Sequence, residues 1–461
     1  MHDEAMGQRW QELDRRHHLH PFTDHAELAR KGTRIIVRAE GCWLWDSHGN
    51  RILDAMAGLW CVNAGYGRRE LVEAASRQMA ELPYYNAFFQ SATPSCVELA
   101  ARLAKIAPDG LSRVFFTNSG SEANDTAVKL IRYYWNLQGR PLKKTIISRR
   151  YAYHGVTLAA ASLSGLPNMH PQADLPLPGF EHVDAPYWYA HGGALDPETF
   201  GLHAARSLEE RILELGPDSV GAFIGEPVQG AGGVIIPPPG YWAEVQRICR
   251  QYDILLVADE VICGFGRTGQ WFGVQRFGIE PDLMTVAKGL SSGYQPIAAV
   301  LVGDRVGDAI VEAGEEWAHG FTYSGHPVAA AVALENLRVL ESEGLHERAS
   351  GPLGEHFAAA LGSLSDHPLV GEVRTCGLLG AVELVEDKAE RRYFAPNRRV
   401  GQICRDHCIE NGLVMRAVRD VMVVAPPLII TEAEIDEMVM RARRALDQTA
   451  ADLARAPKAG R

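Results

Sequence analysis

No run of apolar residues in the 461-residue chain approaches 18, so the sequence offers no helix able to span a membrane. The first residues, MHDEAMGQRW, lack the basic stretch followed by an apolar one that marks a secretory leader. No CxxC pair occurs among the eight cysteines, Cys42, Cys61, Cys96, Cys249, Cys263, Cys376, Cys404 and Cys408. They read as reduced, mostly buried thiols, which fits the cytoplasm. Positive charge is also scarce. The net charge of -11 argues against a nucleic-acid binder, which needs a basic patch or stripe. Internal repeats and low-complexity segments are missing as well.

What is present is an ordinary globular composition, 46% hydrophobic and 22% charged. The length allows a large core and suggests two domains. Along the chain, short apolar runs alternate with amphipathic stretches, which predicts a parallel sheet with right-handed helical crossovers. Strands are expected at residues 113–117, 144–148, 220–225, 254–258, 283–287 and 297–302. Earlier, 33–37, 42–45 and 51–53 are β-type runs, the last two joined by a turn at 46–50. Helices are expected at 69–82, at 93–106 with Thr93 as cap, from 120 to about 136, at 207–215, at 241–252 and at 329–343. Residues 165–200 read as one long ordered loop. Beyond 343, strands are expected near 373–384, 413–417 and 421–424, followed by a helix opened by the Thr431/Glu434 capping box and a frayed tail after Ala451.

The chain is organised around residues 254–289. Two apolar runs there each end on ionisable groups: Asp259 and Glu260 close the first, Lys288 the second. Ligands of open α/β sheets sit just beyond the carboxyl ends of the strands, so an acid and an amine are delivered to one rim. Pyridoxal phosphate (PLP) chemistry needs such a pair: a lysine amine to hold the cofactor and a carboxylate to keep its ring nitrogen protonated. Burial at a strand end would also lower the lysine pKa, as a nucleophile requires. From these residues alone, an Asp and a Lys closing two unrelated turns remains an open alternative.

Other segments add to this. After residues 113–117, Asn118-Ser119-Gly120-Ser121-Glu122 turns into a helix N-terminus, where free N–H groups and the dipole favour an anion. Ser119 and Glu122 are spaced as a capping box. Gly120 and Ser121 are therefore candidates for holding a phosphate. Trp60 lies in the glycine-rich loop 56–67, a position that suggests it lines something. The cluster Tyr84, Tyr85, Phe88 and Phe89 is either core or a pocket wall. Cys404, His407 and Cys408 could share a helical face and bind a metal, but a helix with two buried thiols is the preferred reading. The histidines at 17, 18 and 20 read as a solvated face. No metal site is expected.

Six segments, in order, resemble the class III aminotransferases, PLP enzymes of the aspartate-aminotransferase fold type. They are TNSGSEANDTA, YAYHG, EPVQGAGG, LVADEVICGFGRTG, PDLMTVAKGL and HGFTYSGHP. The likeness runs from about residue 32 to 445. It implies fold type I, with a large domain built on a mainly parallel sheet between helices and a smaller α/β domain. Residues 1–74 would be an N-terminal arm with part of the small domain, 75–330 the large PLP-binding domain, and 331–461 the rest of the small domain.

By resemblance, Lys288 is the Schiff-base lysine and the proton shuttle, and Asp259 is the pyridinium partner. Val261 and Tyr153 pack on the two ring faces, His154 belongs to the cofactor site, and Glu226 is a carboxylate behind Asp259. Gly120 and Ser121 form the phosphate loop. Thr322, preceded by Phe321, reaches the phosphate of a neighbouring subunit, which implies a homodimer with sites at the interface and leaves open whether dimers pair into tetramers. Many relatives carry Gln where this chain has Ile262, so a polar contact to the cofactor's phenolic oxygen is missing or supplied elsewhere.

The resemblance also speaks to specificity. Ornithine, acetylornithine and 4-aminobutyrate enzymes carry a Glu, where this chain has Ala231, that parks the substrate-binding arginine. Ala231, Trp60, Phe88, Phe89 and Arg416 instead resemble the ω-amino acid or amine:pyruvate branch. Trp60, Phe88, Phe89 and Tyr153 would line the pocket, and Arg416 would grip the carboxylate of pyruvate or alanine. The expected reaction moves an amino group from β-alanine, a diamine or an arylalkyl amine to pyruvate, giving alanine and an aldehyde or ketone. The alternatives are a diaminopelargonate, taurine or 2-oxoglutarate-dependent relative, a decarboxylase or racemase, and a non-catalytic binding protein on the same fold.

Overall fold

Seven strands form the central sheet of the computed structural model, which describes residues 4–455. Their order across the sheet is Arg113–Thr117, Ala298–Val302, Leu283–Val286, Leu255–Asp259, Val220–Gly225, Thr145–Arg149 and Phe180–Val183. Ala298–Val302 runs antiparallel to both neighbours, and the other adjacent pairs are parallel. The mainly parallel α/β sheet of fold type I is thus present.

The two central strands are buried on both faces, which is why they read as unbroken apolar runs. Leu255 and Val257 join one core, with Ala123, Ala127, Leu130 and Ile131 of the helix Gly120–Leu137. Leu256 and Ala258 point the other way, into a core shared with Val245 and Ile248 of Tyr241–Gln251 and with Ala330 and Leu337 of Pro327–Ser342. The period-two alternation of a strand therefore feeds two helical layers. Each buried Leu or Val contributes roughly 1.5–3 kcal/mol.

Two smaller sheets flank this layer. One is Ile36–Glu40, Trp43–Asp46 and Arg51–Asp54, extended by Leu413–Val414 in parallel with Arg51–Asp54. The turn between its second and third strands is tied by the Asp46 carboxylate, which accepts the backbone N–H groups of His48 and Asn50 at 3.0 and 2.9 Å. The other sheet is antiparallel: Val370–Cys376, Leu379–Leu384, Val421–Val424 and Arg416–Val418.

Several sequence expectations need correction. Residues 165–200 are not one loop. They contain the edge strand Phe180–Val183 and the start of a helix, Pro197–Leu215, that begins well before residue 207. The strand is only four residues long and sits between Pro- and Gly-rich turns, so no periodicity reveals it. The helix start was signalled, because Asp196 caps it by accepting the Thr199 N–H at 3.0 Å and Pro197 follows. Thr93 stands at an N-cap position, but its side chain makes no cap bond. Half of the Ser119/Glu122 capping box is present: Ser119 Oγ accepts the Glu122 N–H at 3.2 Å, while the Glu122 carboxylate reaches back to the Asn118 N–H at 2.7 Å, one residue earlier than the box requires. The first β run is Ile36–Glu40 rather than 33–37. The last helix, Glu432–Arg455, continues past Ala451, and the rest of the expected frayed tail lies outside the described residues. Cys404 and Cys408 are buried, and His407 is bonded to Glu410 and Asp452 at 2.9 and 2.8 Å. Among the described residues, no helix is long and apolar enough to cross a membrane.

Candidate active site

Leu255–Asp259 and Leu283–Val286 are adjacent parallel strands, with Asp259 opposite Thr285. Both chains therefore leave the sheet at the same rim, and Asp259 and Lys288 line one pocket there. A buried carboxylate must be satisfied by donors or it is strongly disfavoured. Asp259 is 2% exposed and has three. Its Oδ1 accepts the Val261 N–H at 3.1 Å, and its Oδ2 accepts from the Asn124 amide at 2.9 Å and from His154 Nδ1 at 2.7 Å. Asn124 also donates to the His154 carbonyl at 2.6 Å, fixing acid and imidazole together. Only one donor engages Oδ1.

Lys288 opens a single 3-10 turn, Lys288–Leu290, with φ of 45°, a strained value for a side-chain-bearing residue. The turn is held firmly. The Asn336 amide donates to the carbonyls of Gly289 and Leu290, both at 2.9 Å, and its oxygen accepts the Ser292 hydroxyl at 2.6 Å. Gly289 admits no side chain, because a Cβ there would lie 2.5 Å from the Asn63 amide nitrogen. Loss of hydration in the pocket pushes the Lys288 amine down to about 8, against the opposing pull of the Asp259 charge.

Gly120, Ser121 and Gly155 form the next wall. Gly120 starts an eighteen-residue helix, so free N–H groups and the dipole face the pocket. A Cβ on Gly120 would come within 3.0 Å of a Val261 methyl, and one on Gly155 within 2.5 Å of Ser121 Oγ. Glu226, at the end of Val220–Gly225, accepts the N–H groups of Tyr153 at 3.1 Å and Gly230 at 2.9 Å. Full burial raises its pKa, the His154 side chain opposes that rise, and the Asp259 charge adds to it.

Trp60 reaches the site from the loop after Arg51–Asp54. The Asp54 carboxylate organises that loop by accepting the N–H groups of Met56 and Gly58 and the Tyr66 hydroxyl, at 3.0, 2.6 and 2.8 Å. Lys288 Nζ lies 5.4 Å and Arg416 Cζ 4.8 Å from the Trp60 ring centroid. Ala231 and Ile262 are buried in the same apolar cluster as Trp60, with Tyr153 packed against it. Ile262 also lines the Lys288 pocket.

Sequence reasoning missed three contributors. Asn124 looked like an ordinary helical residue, and Asn336 lies far along the chain from Lys288. Phe22, in the N-terminal segment, sets its ring 6.3 Å from Tyr153, edge-on. No local pattern announces any of these contacts.

Four expected site residues do not meet Lys288 within the chain. Phe88, Phe89, Phe321 and Thr322 gather elsewhere: the Tyr84 hydroxyl donates to the Thr322 carbonyl at 2.6 Å, and the Phe88 ring packs on Gly320. Phe89 is 90% exposed. A larger hollow of about 490 Å³ lies beside the N-terminal helix, lined by residues such as Gln8, Gln11, His18 and His25, and it holds no amine–acid pair of this kind.

A lysine and an aspartate across one pocket, at the rim of this seven-stranded sheet, define a PLP-dependent transferase of fold type I. The match to a family model narrows this: residues 26–446 fit the class III aminotransferases, and the chain belongs to that family. It is 55% identical to the putrescine–pyruvate aminotransferase of Pseudomonas aeruginosa, over 97% of this chain and 98% of that one. It is 43% identical to the diaminobutyrate–2-oxoglutarate transaminase of Halomonas elongata, over 96% of each. A solved ω-transaminase of Pseudomonas jessenii, in complex with PMP, superposes with a TM-score of 0.93 at 47% identity, covering 96% of this chain and 99% of that one. The family's cofactor is pyridoxal 5′-phosphate, and the residues fit it. A depressed, buried amine, an acid with one oxygen lightly engaged, and a glycine-lined helix N-terminus answer its aldehyde, ring nitrogen and phosphate.

Proposed function

We propose that this enzyme is an ω-aminotransferase that takes the amino group of an ω-amino acid or primary amine and passes it to pyruvate, yielding alanine and an aldehyde or ketone. One observation carries the choice of acceptor. Arg416 is largely buried beside Trp60, and no carboxylate among the described residues pairs with it. Ala231 supplies no acid to hold it aside. A buried cation without an acid partner fits a small anion such as the carboxylate of pyruvate or alanine. The putrescine–pyruvate relative supports the same acceptor and a diamine among the donors.

Lys288 would hold the cofactor by its amine. Gly120 and Ser121 would present N–H groups to the phosphate, Val261 and Tyr153 would flank the ring, and Asp259 would face its nitrogen. Bound there, PLP supplies an aldehyde that accepts the amino group and a ring that draws electrons from the donor carbon. The chain's own residues do the rest. Lys288 Nζ, freed by the incoming amine, takes the proton from the donor carbon and delivers it to its new position. Its depressed pKa keeps it neutral enough to act as a base near neutral pH. His154 and Asn124 hold the Asp259 carboxylate in place, and Glu226 fixes the backbone of Tyr153 and of the Ala231 loop. Trp60 and Tyr153 form an apolar wall for an uncharged chain or ring, and Arg416 grips the acceptor.

Phe88, Phe89, Phe321 and Thr322 of one subunit would complete the pocket of its partner in a homodimer. Their grouping away from the Lys288 pocket of their own chain supports this. The eight free cysteines support a reducing, cytoplasmic setting. The test is a panel of β-alanine, putrescine, taurine and phenylethylamine, each with pyruvate and with 2-oxoglutarate. Alanine formation with at least one donor is expected, and turnover confined to 2-oxoglutarate would refute the acceptor.

A further inference from the structure

We infer that Asp14 is a positioning residue for the substrate pocket, fastening the strap of residues 18–24 that sets Phe22 against Tyr153. Asp14 lies in the last turn of the helix Glu4–His17. Its carboxylate gathers three side chains: the Thr33 hydroxyl donates at 2.5 Å, His18 Nδ1 lies at 2.9 Å, and His20 Nε2 lies 2.9 Å from both oxygens. The helix itself is docked by Gln11, whose amide donates to the Thr33 carbonyl at 3.0 Å.

The far end of the strap is fixed separately. Asp24 caps the helix His25–Lys31 by accepting the N–H groups of Ala26 and Glu27 at 2.9 and 3.0 Å. That helix is bridged to the C-terminal part of the chain by Glu27–Arg399 at 3.0 Å and Lys31–Asp406 at 2.6 Å. Between the anchors, Phe22 has φ of 48° and little packing of its own, being 67% exposed. A strained backbone of this kind persists only where its surroundings over-determine it. Asp14 supplies the upstream half of that constraint. Releasing it lets the strap relax, and Phe22 leaves Tyr153. The inference rests on the proposed reading that Tyr153 lines the substrate pocket.

The test follows entry to the pocket rather than turnover. Phenylhydrazine is added to holoenzyme, and the rate at which the visible band of the bound cofactor changes is measured for wild type, Asp14→Ala, Phe22→Ala and the double variant. Asp14→Ala is expected to react about 5-fold or more faster, the scale of a modest loss of local constraint, with no further gain when Phe22 is already Ala. An unchanged rate in Asp14→Ala, or effects of the two substitutions that simply multiply, would overturn the inference. His20→Ala removes one donor and leaves the helix whole, so it serves if Asp14→Ala melts early, and it is expected to move the rate in the same direction. Asp14, His18 and His20 are also close enough to one another to hold a metal ion. A chelator is expected to leave the wild-type rate unchanged, and acceleration by chelator would replace the hydrogen-bonded hub with a metal-held one. Failure of wild type to turn over any amine would refute the proposed reaction and leave this rate comparison intact.

Discussion

His154 Nδ1 lies 2.7 Å from Oδ2 of Asp259, with both side chains closed off from solvent at 0% and 2% exposure. The contact leaves the second oxygen of Asp259 held only by the Val261 N–H, so the acid is oriented without being used up. Removing the imidazole removes a hydrogen bond to a charged group, worth about 1.5–3 kcal/mol. His154→Ala is therefore expected to weaken PLP binding about 10–100-fold and to lower kcat. Asn124→Ala should act in the same direction. Spectrophotometric titration of apo-protein with PLP measures the first effect, and an unchanged affinity in both variants would show that Asp259 needs no help.

Lys288 carries a pH signature. Its amine must be neutral to bond to the cofactor aldehyde, and burial brings it to about 8 from an ordinary 10.5. The rate of PLP capture by apo-protein is expected to rise with pH and level off above a midpoint near 8. The same shift affects stability. Between about pH 8 and 10.5 the unfolded chain holds a proton on Lys288 that the folded chain does not, so apo-protein stability rises with pH across that window. Below pH 8 this contribution is flat. Lys143, also brought to about 8 by burial, adds to the same slope, so Lys288→Met should reduce the slope in denaturant titrations, and an identical slope in the variant would contradict the assignment.

Arg416 separates the two half-reactions. With its guanidinium gone, a carboxylate loses a paired charge, and the KM for pyruvate is expected to rise about 10-fold or more. A simple arylalkyl amine, which has no carboxylate, should suffer much less in Arg416→Ala. Steady-state kinetics with both substrates decide this, and equal losses would contradict the grip proposed for Arg416.

Thr322 tests the shared site. A Lys288→Ala subunit offers an intact Thr322 segment, and a Thr322→Ala subunit offers an intact lysine. Mixing the two variants under conditions that exchange subunits should restore activity above the sum of the parts, measured at PLP too dilute to fill Thr322→Ala alone. No recovery, with exchange verified, would place Thr322 outside the partner's pocket.

The centre of the site was readable in the sequence because each key group ends a short apolar run. Asp259 closes 254–258 and Lys288 follows 283–287, and in a parallel sheet a strand end is a position in space. Gly120 was readable because a glycine turn into a helix has one geometric meaning. The rest depended on contacts between segments distant in sequence. Which helical residue of 120–137 faces Asp259 is decided by how that helix lies on the sheet, so Asn124 carried no local mark. Phe22 meets Tyr153 only because the strap is anchored at both ends. Thr93 shows the reverse error: its residue type suits a cap, yet the hydroxyl makes no cap bond, since composition reports frequencies and not the local path of the chain.

The most direct measurement is the visible absorbance of the purified protein supplied with PLP. The wild type is expected to show a band that an amine donor discharges and pyruvate restores, and Lys288→Ala is expected to lack the lysine-linked band while keeping the fold. A colourless wild type under saturating PLP, or a band in Lys288→Ala that cycles with amine and pyruvate as in the wild type, would contradict the assignment of Lys288 opposite Asp259 as the reacting centre.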